Sequence, residues 1–158
     1  MSIINIVGAK IWGGGEQYVY DICKQLQQRH RAAYTLVDQS NEEMQSRYAQ
    51  VGHVMTANLY TLKGFLSVNA VAKQMKAQGI NTIVCHSGKY ILFCIALKQL
   101  TGAKLMFIKH NLVPGKIDMY HKWINSQVDA FVCVSKLVYD DLMTCLLYTS
   151  PSPRDRSL

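Results

Sequence analysis

The sequence predicts an α/β domain in which a parallel sheet is covered by helices on both faces. Three observations support this prediction. Short apolar runs rich in β-branched residues alternate with segments whose apolar positions recur at helical spacing. The first of these runs has the pattern of a strand buried on both faces. The turns between most elements are short, which is typical of a parallel sheet built from right-handed crossovers.

The composition is that of one ordered globular domain. The chain has 158 residues, of which 49% are apolar and 17% charged, enough for a single core. A net charge of +7 suits an anionic ligand, a nucleic acid or a membrane surface. The basic residues are nevertheless spread along the chain and do not interleave with aromatic residues, which argues against nucleic-acid binding.

The five cysteines form no CxxC pair and no metal-ligand spacing. Four of them (Cys23, Cys85, Cys94 and Cys133) lie in apolar segments, so we expect small buried thiols in a reducing compartment. The longest apolar run, 90–97, is too short to span a bilayer, and no signal peptide precedes the first strand. These features favour a cytoplasmic protein without a metal site.

The first elements are a strand, a glycine-rich turn and a helix. The run Ile3 to Val7 predicts the strand, and apolar residues at helical spacing predict a helix from Glu16 to Arg29. Between them, Gly13, Gly14 and Gly15 leave backbone N–H groups uncovered at a helix N-terminus, which suits a phosphate or another anion. The motif is neither GxGxxG nor a P-loop, so a tight turn without a ligand is the alternative.

The remaining elements follow in alternation. The predicted strands are 33–37, 51–55, 81–85, 104–108 and 130–134, and the predicted helices are 41–50, 65–78, 90–100, 120–128 and one beginning at residue 136. The charged segment 41–50 is expected to be an exposed helix. Gly79 and Gly102 supply helix stops, and Ser135 is placed to cap the last helix. Tyr120, Trp123 and Ile124 form an apolar stripe that predicts a core-facing surface.

Three of the predicted strands are followed by segments that are suited to binding a ligand. They are the triple-glycine turn, the segment His86-Ser87-Gly88-Lys89 and the segment Lys109-His110-Asn111. In open parallel sheets ligands bind outside the carboxyl ends of the strands. We therefore expect these three segments to meet along one edge of the sheet.

With these segments in place, the chain resembles the N-terminal half of a GT-B glycosyltransferase of the large retaining family 4. The similar segments are the opening strand with Gly13-Gly14-Gly15-Glu16, the strand ends at Cys85-His86-Ser87 and Lys109-His110-Asn111, and Asp129-Ala130-Phe131-Val132-Cys133-Val134-Ser135. The resemblance covers residues 1–144. It implies a Rossmann-like domain that holds the acceptor, with the glycine-rich loop beside the donor diphosphate and a histidine in the catalytic cleft.

The resemblance also implies roles for particular residues. Gly13, Gly14 and Gly15 would lie near the phosphates of a nucleotide sugar, and His110 would be the catalytic cleft histidine. The remaining candidates for acceptor or cleft contacts are Glu16, His86, Ser87, Lys109 and Asn111. A structural role remains the alternative for each, such as a strand-end cap for His110 or solvated side chains for the lysines.

The implied function is transfer of a sugar from a nucleotide-sugar donor to a glycan or lipid-linked acceptor, without a metal or other cofactor. The basic balance suits an acceptor at the inner face of the membrane. Two other classes of protein are alternatives. A self-contained nucleotide-binding or regulatory module without catalysis is the main alternative. An NAD-dependent dehydrogenase is disfavoured, because the glycine fingerprint is wrong and only Asp38 could bind a ribose.

The segment 145–158 shows neither the helix nor the strand pattern of the preceding chain. Its string Cys145-Leu146-Leu147-Tyr148-Thr149-Ser150-Pro151-Ser152-Pro153-Arg154-Asp155 looks like an in-frame translation of a transposon adapter used for sequencing libraries. We therefore expect a non-native, disordered tail after residue 144. The family's second domain, which binds the nucleotide and carries paired glutamates, would then be absent, and the fragment alone would be inactive.

Overall fold

Six parallel strands form one sheet in the described part of the chain, which comprises residues 2–59, 64–110 and 118–147 of a computed structural model. The strands are β1 (Ile3–Val7), β2 (Tyr34–Asp38), β3 (His53–Ala57), β4 (Thr82–Cys85), β5 (Lys104–Lys109) and β6 (Ala130–Cys133). Their order across the sheet is β3-β2-β1-β4-β5-β6, and every neighbouring pair is parallel.

Helices connect the strands and cover both faces of the sheet, as predicted. They are α1 (Gly14–Gln28), α2 (Glu42–Ala49), α3 (Gly64–Ala77), α4 (Ile91–Thr101), α5 (Met119–Gln127) and α6 (Lys136–Leu147), with a short 3-10 helix at Gly88–Tyr90. The predicted Rossmann-like α/β fold is confirmed.

The core divides between the two faces because side chains alternate along β1. Ile4 and Ile6 belong to the cluster that packs against α3 and α4, whereas Val7 belongs to the cluster that packs against α1 and α2. Asn5 points to the same face as Val7 and is only 1% exposed. The central strand therefore carries one buried polar side chain toward α1.

The start of the third strand and the exposure of α2 differ from the sequence prediction. The third strand begins at His53 instead of residue 51, because the Val51 amide donates to Tyr48 at the end of α2. Helix α2 is not an exposed helix: Met44 and Tyr48 are almost fully buried against the sheet. This pair, four residues apart, gives the otherwise charged segment one buried side.

The apolar stripe on α5 is only partly a core surface. Ile124 is buried, but Tyr120 and Trp123 are 50% and 48% exposed, so the prediction was wrong for the two aromatic residues. Helix α5 contacts α4, and Ile124 is the residue of the stripe that is buried there.

Both predicted helix stops are confirmed. Gly79 follows α3 with φ +64° and Gly102 follows α4 with φ +71°. The Gly102 amide donates to the Lys98 carbonyl at 2.8 Å, which closes the last turn of α4. A residue with a side chain would be strained in either backbone conformation.

Helix α6 continues through Leu147, three residues into the segment predicted to be a tail. The rest of that segment, 148–158, lies outside the described residues, so the boundary at 144 stays a prediction. Among the described residues, no helix is long and apolar enough to cross a membrane.

Candidate functional site

A cleft of about 570 Å³ opens at the carboxyl edge of the sheet, between β1 and β4. The strand order reverses at this point, and such switch points are where open α/β sheets bind ligands. The cleft is lined by Gly8, Ala9, Lys10, Ile11, Gly14, Gly15, Glu16, His86, Ser87, Lys89, Tyr90 and His110. Residues that follow β1, β4 and β5 therefore meet at one edge of the sheet, as predicted from the segments that follow these strands.

The glycine turn forms the β1 side of the cleft. Gly13 is the N-cap of α1, and its amide donates to the Glu16 carboxylate at 3.0 Å. Gly14 and Gly15 open the helix, and a Cβ added at either would meet no atom within 4 Å. Both glycines line the cleft at the N-terminal end of α1, where the helix dipole favours an anion.

Three side chains of the α2 region hold the loop between β1 and α1. The Asn41 amide donates to the Ala9 and Lys10 carbonyls at 3.1 and 3.3 Å. Trp12 packs against Tyr48, with the two ring centroids 5.5 Å apart. The Arg47 guanidinium lies 4.6 Å from the Trp12 ring centroid, a cation–π arrangement. The glycine turn is therefore presented by a loop that is bonded to a neighbouring helix.

His86 and His110 form a stacked pair on the opposite side of the cleft. His86 Nδ1 lies 3.0 Å from His110 Nε2, and the ring planes are inclined by 25°. His86 Nε2 lies 3.1 Å from the side-chain oxygen of Asn5. The Tyr18 ring contacts both imidazoles edge-on, with its centroid 5.5 Å from that of His110. His86 is thus contacted by Asn5, His110 and Tyr18, and His110 by His86 and Tyr18.

Burial keeps both imidazoles neutral. Desolvation, reinforced by the charge that His110 can carry, lowers the pKa of His86 to about 3. Desolvation also lowers the pKa of His110, although the nearby Glu16 carboxylate opposes this shift. At neutral pH each ring therefore carries one proton and one lone pair.

The other predicted site residues divide into three groups. Ser87 lines the cleft, and its hydroxyl accepts from the Lys89 amide at 3.3 Å to start the 3-10 helix. Lys109 pairs with Asp141 on α6 at 2.6 Å and does not line the cleft. Asn111 lies outside the described residues.

Sequence reasoning missed Asn5 and Tyr18. Asn5 carried a signal, since it is the one polar residue in the apolar run of β1, and buried polar side chains need a partner. Tyr18 gave no signal, because a tyrosine in the second turn of an amphipathic helix is ordinary.

The described cysteines are free, and most of them are buried. Cys23, Cys85 and Cys94 are free and buried, as expected, and Cys133 is half-buried. Within the described ranges, no group of three His, Cys, Asp or Glu side chains could hold a metal ion. Whether the activity needs a metal stays a prediction.

The fold and the cleft together define a Rossmann-like domain with an anion-compatible turn and a neutral histidine pair at the switch point of its sheet. The chain belongs to Glycosyltransferase Family 4, whose model matches residues 12–150. No sequence among curated proteins matches it.

Solved structures share the fold at low sequence identity. A glycosyltransferase from Rickettsia africae ESF-5 is 16% identical with a TM-score of 0.71, and 90% of this chain covers 38% of that one. HepE from Anabaena, in complex with UDP, is 15% identical with a TM-score of 0.67, at 92% and 41% coverage. A UDP-N-acetylglucosamine 2-epimerase from Listeria monocytogenes, described as putative, is 8% identical with a TM-score of 0.64, at 90% and 41%.

This chain thus spans about two fifths of the length of the structures it resembles. Because a transferase and an epimerase share the fold, the fold alone does not define the reaction.

Proposed function

We propose that this chain is the acceptor-side half of a retaining glycosyltransferase. The complete protein transfers a sugar from a nucleotide-sugar donor to a glycan or lipid-linked acceptor, without a metal or other cofactor. The observation that carries the proposal is the cleft between β1 and β4, which is lined by the first turn of α1 and by the His86–His110 pair. Membership of Glycosyltransferase Family 4 supports the transferase chemistry.

The two sides of the cleft suit different parts of a nucleotide sugar. Gly14 and Gly15 favour the diphosphate, because they line the cleft at the positive end of α1. His110 favours the sugar, since a neutral imidazole can bind a hydroxyl and stabilise positive charge that develops at the anomeric carbon. Anabaena HepE has been crystallised with UDP and with UDP-glucose, which supports a nucleotide-sugar donor here.

The acceptor and the location belong to the same proposal. Glu16, His86 and Ser87 line the cleft and are the residues we propose for acceptor and cleft contacts. Lys109 is bonded to Asp141, so its proposed part is to hold the strand end beside His110. The net charge of +7 suits a cytoplasmic protein that meets a lipid-linked acceptor at the inner face of the membrane.

The test is sugar transfer by the complete protein with His110→Ala. We expect at least a tenfold loss of turnover, equivalent to about 1.4 kcal/mol of barrier. His53→Ala is the matched control, because His53 is exposed on β3 and stacks on Tyr34 far from the cleft. Equal activities for the two variants would remove His110 from catalysis.

Calorimetry on this chain tests the division of labour. If the donor is bound mainly by a second domain, nucleotide sugars bind this chain weakly or not at all. Micromolar affinity for the chain alone would contradict the proposal and would instead favour a self-contained nucleotide-binding module.

A further inference from the structure

A line of side-chain contacts runs from the core under α1 to the cleft. Thr35 on β2 contacts the Cys23 thiol at 3.5 Å, and the Asn5 amide nitrogen lies 3.8 Å from the same sulfur. The Asn5 oxygen contacts His86, which contacts His110. Asn5 and Thr35 are 1% and 2% exposed, so water does not compete for the contacts with Cys23 at the core end of this line.

The direction of each hydrogen bond in this line follows from the Asn5 oxygen, which can only accept. His86 must therefore donate from Nε2, and a neutral ring that is protonated on Nε2 has its lone pair on Nδ1. That lone pair accepts from His110 Nε2 at 3.0 Å. The proton of His110 is thus on Nε2 as well, and its Nδ1 carries the lone pair.

We propose that Asn5 is a positioning residue that fixes the tautomers of His86 and His110, so that His110 offers an acceptor nitrogen to the cleft. An acceptor binds a hydroxyl group and repels a phosphate oxygen, so this side of the cleft selects a sugar hydroxyl. The phosphates are left to the glycine turn. The ligand assignment rests on the proposed function, whereas the tautomers do not.

The test is long-range ¹H–¹⁵N NMR of this chain at neutral pH, which shows which imidazole nitrogen is protonated. In the unmodified chain we expect both His86 and His110 to carry the proton on Nε2. In Asn5→Leu the acceptor is lost, and we expect His86 and His110 to show mixed tautomers.

Asn5→Asp gives a directional result. A carboxylate at this position favours a proton on both nitrogens of His86, which then donates from Nδ1 to His110 Nε2. We therefore expect the His110 proton to move from Nε2 to Nδ1. A role for Asn5 in stability alone would not reverse a tautomer in a chain that is still folded.

Thr35→Val is the matched control, because it removes another buried polar group of the same line without touching His86. In Thr35→Val, His86 and His110 should have the same tautomers as in the unmodified chain. The proposal is overturned if His110 carries its proton on Nδ1 in the unmodified chain, or if Asn5→Leu and Asn5→Asp leave both rings unchanged. The two proposals can fail separately. If His110→Ala loses sugar transfer but the Asn5 variants keep their tautomers, this inference is wrong and the proposed function is supported.

Discussion

His86 shows how a single, partly buried side chain links the site to the stability of the fold. Its ring is held between Asn5 and His110 at hydrogen-bond distance from both. Protonation would replace the acceptor nitrogen of His86 with a donor facing His110 and would place a charge in a poorly solvated position. The native state therefore resists protonation of this ring.

This resistance predicts a loss of stability in mild acid. The pKa of His86 is lowered to about 3 in the folded protein, so between the ordinary pKa of 6.5 and that value the unfolded chain binds one proton more than the folded chain. Stability should then fall with decreasing pH by about 1.4 kcal/mol per pH unit from this ring. Denaturant unfolding at a series of pH values above the range in which carboxylates titrate measures the slope.

His86→Gln supplies the comparison for this slope. The variant cannot titrate, so its stability should depend less on pH over the same window. A slope equal to that of the unmodified chain would contradict the buried neutral state of His86. His121→Gln is the control, because His121 pairs with Asp118 at the surface and has no part in the cleft.

Gly52 is a second residue whose environment gives a definite prediction. A Cβ at this position would lie 2.6 Å from the carbonyl oxygen of Ala33, the residue just before β2. This oxygen belongs to the backbone, so it cannot move away by a side-chain rotation. We expect Gly52→Ala to destabilise the fold by about 1–3 kcal/mol, the usual cost of overpacking. Thermal or urea unfolding measures it. Gly88→Ala, where an added Cβ meets no atom within 4 Å, should change stability little by comparison.

At the scale of elements, the loop between β1 and α1 depends on α2. Asn41 caps α2 by accepting from the Met44 amide at 3.1 Å, and its nitrogen binds the Ala9 and Lys10 carbonyls. Asn41→Ala should cost about 1 kcal/mol through the lost cap and should also speed hydrogen exchange in residues 9–16. Asp118→Ala removes the equivalent cap of α5 and should leave that loop unchanged. Equal exchange in the two variants would contradict the loop attachment.

Most elements were predictable because their patterns are local. Ile3 to Val7 is β-branched and continuous, and Gly79 and Gly102 end helices by conformations that are available to glycine at low cost. The third strand was placed two residues early because Val51 is apolar yet bonds to the end of α2. The exposure of Trp123 was missed because an apolar stripe does not show how wide the surface opposite it is.

At the scale of the molecule, the meeting of three strand ends follows from parallel topology alone. Once β1, β4 and β5 are parallel, Gly14, His86 and His110 must lie at one edge. The link from Asn5 to His86 was not predictable, because it depends on which face of β1 a side chain occupies and on the distance across two strands. Topology thus gave the residues of the candidate site, and only coordinates gave their hydrogen bonds.

The sheet should be least protected at the β6 edge. The side chains of β1 and β4 are almost entirely buried, whereas none of β6 is fully buried. Edge strands with few apolar contacts open at low free energy. We therefore expect amide hydrogen exchange to be slowest in β1 and β4 and fastest in β6, with β3, the other edge, slower than β6 because Met55 and Ala57 are buried.

Asp129 connects the β6 edge to the rest of the sheet by hydrogen bonds. Its carboxylate accepts from the Leu105 amide at 2.7 Å and from Lys98 at 2.8 Å, just before β6 begins. Asp129→Ala should speed exchange at the Leu105 amide and throughout β6, while β3 keeps its rates. Asp129→Asn retains an oxygen that can accept from Leu105, so its effect should be smaller. Equal acceleration at both edges would show that the whole sheet opens as one unit and that Asp129 does not hold β6 in particular.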